Sequence, residues 1–238
     1  MNKYKNLQIT ELKNKLQLTD SCWPLLVQAL THPTFYEGHK MPAKDNQRLE
    51  FLGDAILDFL VGEYLFNTYP SSLEGDLTKM RALIVCEASL AAKAAELGLD
   101  KALRLGKGAE IGGDRHRPSI LADALEAVIG AIYLGMGMDA ARSFVVKQFS
   151  SVMDNLTKED FEDKKSLLQE IVQKYGNKTV YYKVLDISGP DHDKQFVSAV
   201  CYDKVFLGQG KGKSKKESEQ AAAAEAWLNR ESWLKQIR

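Results

Sequence analysis

Two apolar stretches that carry acids constrain this chain more than anything else in it. The first is Asn46-Gln47-Arg48-Leu49-Glu50-Phe51-Leu52-Gly53-Asp54-Ala55-Ile56-Leu57-Asp58-Phe59-Leu60. At a helical period Leu49, Leu52, Ile56 and Phe59 fall close to one face. Phe51, Leu57 and Leu60 widen that face until most of the helix is apolar, which predicts a buried helix. Yet Glu50 and Asp54 stand one turn apart and point the same way. Gly53 lies between them, where Ala would favour the helix by ~1 kcal/mol, so close packing against its backbone is expected. The second stretch, Ile120 to Tyr133, is a near-continuous apolar run whose only charges are Asp123 and Glu126, again on a shared face.

Four carboxylates on two apolar helices need an explanation. At an effective dielectric of ~20, two such charges ~5 Å apart repel by ~3 kcal/mol, so acids brought together either take up protons or recruit cations. Hard divalent ions with oxygen ligands suit them, Mg²⁺ first. The residues alone leave a second reading open, in which the acids are solvated edges of two core helices.

The motifs narrow the choice. Asn46 to Leu57, NQRLEFLGDAIL, resembles the signature of the ribonuclease III family, and ILADALEAVIGAIYL resembles that family's second catalytic stretch. The resemblance implies that Glu50, Asp54, Asp123 and Glu126 form an acidic site for Mg²⁺, with Mn²⁺ able to substitute, and that Asp54 and Glu126 are catalytic. Gln47 departs from the family, which more often carries Glu there, in an auxiliary layer of the site. Glu74, in Glu-Gly-Asp-Leu-Thr, also resembles the family, where the matching acid assists a later step. Here it is read first as a helix cap.

Around these stretches the first part reads as all-α. Thr10 is placed to cap a short helix from Glu11 to Leu16, and Asp20 another with Pro24 in its first turn. His32, in an Ala-Leu-Thr-His-Pro segment similar to the family's, reads as a capping or packing residue rather than a base. Residues 36–45 read as a loop. The carboxylate helix should stop near Tyr69, before Pro70. Ser71 and Glu74 have capping-box spacing, and a helix from Ala88 to Leu97 should close at Gly98. Residues 106–118, rich in Gly and charge, lack the Gly-Lys-Ser/Thr of a phosphate loop and read as a mobile loop offering Arg115 or Arg117 to RNA. Asp139 is placed to cap a last helix, to about Asn155.

Charge is neutral overall, 32 basic against 32 acidic residues, so any nucleic-acid reading rests on local clusters. Residues 1–156 hold 17 basic and 19 acidic residues, and residues 157–238 hold 15 and 13, with five lysines and no acid between 204 and 216. The 3 cysteines, Cys22, Cys86 and Cys201, are far apart and odd in number, which indicates neither a disulfide framework nor a zinc site and fits a reducing cytoplasm. The N-terminus lacks the apolar stretch of a signal peptide. No uncharged apolar run reaches the ~18 residues of a membrane span.

From residue 157 the pattern changes. Residues 157–165 are mixed in charge and read as a linker. A helix follows from Ser166 to Tyr175, then strands at Val180–Ile187, Phe196–Tyr202 and a short one at Lys204–Gly208, then a long helix from Ser214 to Leu234. This α-β-β-β-α order resembles the double-stranded-RNA-binding domain. Lys213, Lys215 and Lys216 stand at a helix N-terminus, where they oppose the dipole unless a phosphate backbone lies there. Gln169 and His192 match positions where that family touches the minor groove, whose 2′-hydroxyls mark RNA. Ser218 replaces a common Ala and should be tolerated.

The expected fold is therefore an all-α N-terminal endonuclease domain (1–156), a linker (157–165) and a small α+β double-stranded-RNA-binding domain (166–238). The resemblance implies a homodimer, one strand cut per subunit, which hydrolyses double-stranded RNA to 5′-phosphate and 3′-hydroxyl ends, with precursors of ribosomal RNA and other structured transcripts as substrates, and the cysteine usage places it in the cytoplasm. The apolar Phe51, Leu52, Ile56 and Phe59 are available for the partner as well as the core. The rival readings are a duplex-RNA-binding regulator that does not cut and a phosphohydrolase of small nucleotides. The complete acidic quartet speaks against the first and the RNA-binding domain against the second.

Overall fold

The computed structural model describes residues 3–36, 44–161, 163–190 and 193–237. The chain divides into two compact units, Met1–Leu156 and Thr157–Arg238. The first is helical: α1 (Lys3–Lys15), α2 (Trp23–Ala29), α3 (Gln47–Thr68), α4 (Glu74–Ile84), α5 (Glu87–Leu97), α6 (Leu99–Ala102), α7 (Lys107–Ile111), α8 (Pro118–Met136) and α9 (Met138–Met153), with 3₁₀ turns at Asp20–Cys22, Pro33–Tyr36 and Asp114–His116.

Helix α8 is the axis of this unit. Ala124, Leu125, Ala127, Val128 and Ile129 are wholly buried, and α3, α5, α2 and α9 pack around them. By length and composition α8 could cross a membrane, but its apolar residues are spent on this core and it carries two acids. Helix α3 lies against it through Leu49, Ile56, Leu57 and Leu60, each buried and each contributing about 1.5–3 kcal/mol. The expected all-round burial of α3 does not occur. Phe51, Phe59 and Phe66 are 80%, 53% and 70% exposed and form a stripe on the side away from α8. Glu63 and Arg142 tie α3 to α9 (Nε to Oε2 2.9 Å).

Several local expectations are corrected. Thr10 lies inside α1, which begins at Lys3. Helix α4 begins at Glu74 with Leu73 at its N-cap and no side-chain cap, so Ser71 and Glu74 form no capping box; Glu74 instead accepts from Thr78 (3.0 Å). Gly137, not Asp139, precedes α9. Gly98 does close α5, at φ 85°. The stretch expected as a mobile loop folds into α7 and a 3₁₀ turn. Of the loop expected at 36–45, residues 37–43 lie outside the described residues.

The second unit runs α10 (Lys158–Phe161), α11 (Lys164–Gln173), β1 (Val180–Ser188), β2 (Gln195–Tyr202), β3 (Val205–Gly212), α12 (Lys215–Leu228) and α13 (Arg230–Ile237). Its sheet is antiparallel in the order β1-β2-β3. Strand β3 is longer than expected because it continues through Gly208, Gly210 and Gly212. A Cβ at any of these would run into α12, at Ala226, Ala222 and Glu217 respectively. Glycine costs strand propensity, and here it lets helix and sheet meet at the backbone. The expected long last helix is broken at Asn229. Beyond the break Trp233 is only 2% exposed and donates its indole N–H to the Ala226 carbonyl (2.7 Å). Within 157–165, Glu159 accepts from the Trp227 indole (3.1 Å).

Candidate metal centre and RNA-binding face

Helices α3 and α8 touch with no side chain between them. A Cβ at Gly53 would occupy the place of the Glu126 carbonyl, and one at Gly130 the place of the Leu49 carbonyl. The glycine expected to admit a close neighbour thus meets the second acid-bearing helix itself, in a reciprocal contact that needs Gly130 as well. Backbone contact brings the acids of both helices together. Glu50, Asp123 and Glu126 each offer a carboxylate oxygen, and these oxygens lie within 4.8 Å of one another. Asp54 is exposed and stands outside that trio, yet its charge acts on both Glu126 and Glu50.

The electrostatics follow from burial without neutralisation. Glu126 is pushed up to about 8, by burial first and then by Asp54, Asp123, Glu50 and Asp58. Glu50 is raised by burial, then by Asp123, Asp54 and Asp45. Asp123 is raised mainly by burial, with His32 acting the other way. Among the described residues, the charges that act on Glu126 are all acids. The donor set is all oxygen and anionic, and it fits a hard divalent cation, Mg²⁺ or Mn²⁺.

Asp45, absent from the residues expected at the site, is buried and adds to the field on Glu50 and His32. Its signal was present, an Asp directly before the signature. His32 sits in a packing role: its Nδ1 shares a hydrogen bond with Thr34 Oγ1 (2.8 Å), and burial lowers its pKa. Arg115, offered above to RNA, is committed to Glu110 and to the Asp100 carbonyl.

In the second unit Lys213, Lys215 and Lys216 are exposed at the start of α12. Ser214 caps this helix, accepting from Glu217 N (3.2 Å), while Glu217 accepts from Lys213 N (2.8 Å). The local structure is thus a reciprocal cap that fixes where the lysines stand. Gln169 is partly engaged: its Oε1 accepts from Val180 N (3.1 Å), and its Nε2 is buried without a partner among the described residues. His192 lies outside the described residues. Ser218 is buried and shares a hydrogen bond with Ser198 (2.7 Å).

A helical unit with crowded acids, joined to an α-β-β-β-α unit with lysines on a capped helix, defines a class: nucleases that act on double-stranded RNA. Residues 24–153 match the Ribonuclease-III-like family and residues 164–230 the Double-stranded RNA binding motif. Ribonuclease 3 of Heliobacterium modesticaldum is 47% identical over 225 residues, 93% of this chain and 96% of that protein. Ribonuclease 3 of Pelotomaculum thermopropionicum is 46% identical over 226 residues, 94% of each. A solved nuclease domain of ribonuclease III from Campylobacter jejuni matches with a TM-score of 0.56 and 41% identity, over 60% of this chain and 96% of that one. This chain belongs to the ribonuclease III family and is an endoribonuclease of double-stranded RNA.

Proposed function

We propose that Glu50, Asp54, Asp123 and Glu126 hold Mg²⁺, or Mn²⁺ in its place, and that phosphodiester hydrolysis at this site leaves 5′-phosphate and 3′-hydroxyl ends. The observation that carries the reading is the convergence of three carboxylate oxygens within 4.8 Å, with acids, among the described residues, as the charges that act on Glu126. When bound, the ion supplies an activated water and positive charge at the phosphate. Burial and its acidic neighbours push Glu126 up to about 8, so holding a metal would require it to lose its proton. Glu50 and Asp123 approach from the two helices, and exposed Asp54 stands on the outer side, toward substrate and water.

Residues 1–156 act as the catalytic domain and residues 166–238 as the RNA-binding domain, with 157–165 as linker. Lys213, Lys215 and Lys216 contact phosphates, which costs nothing in sequence selectivity and adds salt-dependent affinity. Gln169 and His192 are the minor-groove contacts that the family resemblance implies, Gln169 being the one whose Oε1 also accepts from Val180 N. The exposed Phe51, Phe59 and Phe66 form an apolar patch of the kind that marks an interface, and a homodimer through it gives two sites for two strands. The setting is cytoplasmic, and the substrates are ribosomal RNA precursors and other structured transcripts.

The test is cleavage of a long end-labelled duplex by the full chain and by Glu50→Gln, Asp54→Asn, Asp123→Asn and Glu126→Gln, each across a Mg²⁺ titration beside an EDTA control. Loss of cleavage in all four with retained gel-shift affinity in Ca²⁺ is expected. Near wild-type cutting by the variants, or by the wild type in EDTA, would sink the assignment.

A further inference from the structure

The residue at the N-cap of α3 supplies no side-chain cap, although Asp45 Oδ1 just before it accepts from Gln47 N (3.3 Å). Asn46 stands at the N-cap but makes no side-chain cap hydrogen bond, and its Nδ2 is buried with no partner among the described residues. Such a cap ordinarily contributes about 1 kcal/mol and fixes the first turn. The first turn is also held from a distant part of the chain. The Asn46 N–H donates to the Thr31 carbonyl (2.9 Å), and the Asn46 carbonyl accepts from Glu50 N (2.8 Å).

Thr31 is held in turn by Arg104, which follows α6. The Arg104 N–H donates to the Leu30 carbonyl (2.8 Å), and its own carbonyl accepts from His32 N (3.0 Å). Its side chain closes round the same segment: Nη1 donates to the buried Thr31 Oγ1 (2.9 Å), and the guanidinium lies 4.2 Å over the Phe35 ring. Burial lowers the guanidinium pKa, and among the described residues Tyr36 offsets this. A planar fork can stack and donate in its own plane at once, which an ammonium cannot do.

We propose that Arg104 is a positioning residue for the acidic site. Through Thr31 and Asn46 it fixes the first turn of α3 and so aims the Glu50 carboxylate at Asp123 and Glu126. The inference rests on the metal reading above. The hydrogen bonds of Arg104 go to this segment and not to the four acids; it acts through Thr31, whose Oγ1 it holds and whose carbonyl takes the Asn46 N–H, and on through the Asn46 carbonyl to Glu50 N.

The test uses the full chain with Arg104→Ala and Arg104→Lys, and Glu126→Gln as companion. Three quantities are read without cleavage: Mn²⁺ affinity by calorimetry, amide hydrogen exchange at Asn46 and Glu50, and Tm in EDTA. Outer residues that hold a ligand typically change metal affinity by about 10–100-fold, so Arg104→Ala should weaken Mn²⁺ at least about tenfold, with Arg104→Lys in between. Exchange at Asn46 and Glu50 should quicken while α12 is unaffected. If the Ala variant does not fold, the Lys variant carries the same expectations. A folded variant with wild-type Mn²⁺ affinity and wild-type exchange at both amides overturns the inference, whatever its Tm. If Glu126→Gln also binds Mn²⁺ as the wild type does, the metal reading itself has failed; if only Glu126→Gln loses affinity, the role of Arg104 alone has failed.

Discussion

Replacing Glu126 by Gln removes the most strongly perturbed acid of the cluster and keeps its shape. In the metal-free fold its carboxyl titrates at about 8, against an ordinary 4.5. Between those values the folded chain holds a proton that the unfolded chain has released. Stability therefore falls as pH rises from about 4.5 to about 8 and levels off above that. A dry, isolated carboxyl would lose about 5 kcal/mol over such a window, at about 1.4 kcal/mol per pH unit. Glu126 is only partly buried and titrates together with its neighbours, so solvent screening and coupling reduce this to about 2 kcal/mol. At about 2–4 °C per kcal/mol for a unit of this size, wild-type Tm in EDTA should drop about 4–8 °C more between pH 5 and pH 9 than that of Glu126→Gln. Glu50 and Asp123 are also raised and add a fall of the same sign in both proteins. Saturating Mg²⁺ should lift the wild type at high pH and leave the variant nearly unchanged, while cleavage by the variant falls about a hundredfold or more. Parallel Tm–pH curves for the two proteins in EDTA would refute the account of the buried charge. Wild-type cleavage by the variant would refute its role at the metal.

Gly53→Ala should destabilise the nuclease unit by about 1–3 kcal/mol through overpacking, since its Cβ meets the Glu126 backbone; Mn²⁺ affinity should fall with it, and an unchanged Tm in thermal unfolding would deny the close crossing. Replacing Lys213, Lys215 and Lys216 together by Ala should lower the log–log salt slope of duplex binding by roughly 2.7 in magnitude, at ~0.9 per phosphate, and weaken all sequences alike; a gel-shift salt titration with the wild-type slope would make these lysines a solvated face. Light scattering at micromolar concentration should give twice the 26.6 kDa of one chain, and Phe51→Ser with Phe59→Ser and Phe66→Ser should shift it toward one, each ring being worth about 1.5–3 kcal/mol if buried. A wild type that runs only as 26.6 kDa would rule the dimer out.

The sequence by itself determined whatever depends on neighbours along the chain. Helical period located α3 and α8 and put Glu50 with Asp54, and Asp123 with Glu126, on shared faces. A Gly between two acids signalled a close backbone contact, and alternation with turn residues gave the α-β-β-β-α order. Tertiary structure decided what depends on residues far apart. An α3 apolar nearly all round does not say which side faces out, and only its packing on α8 buries Leu49 and leaves Phe51 exposed. Gly130 has no local role in α8; its need appears only where the Leu49 carbonyl meets it. The glycines of β3 read as the end of a strand because their propensity is poor, but pairing with β2 and contact with α12 override it. The acids come within reach of one another for the same reason. Their spacing is written in each helix, and their convergence is set by two glycines on different helices that let the backbones touch.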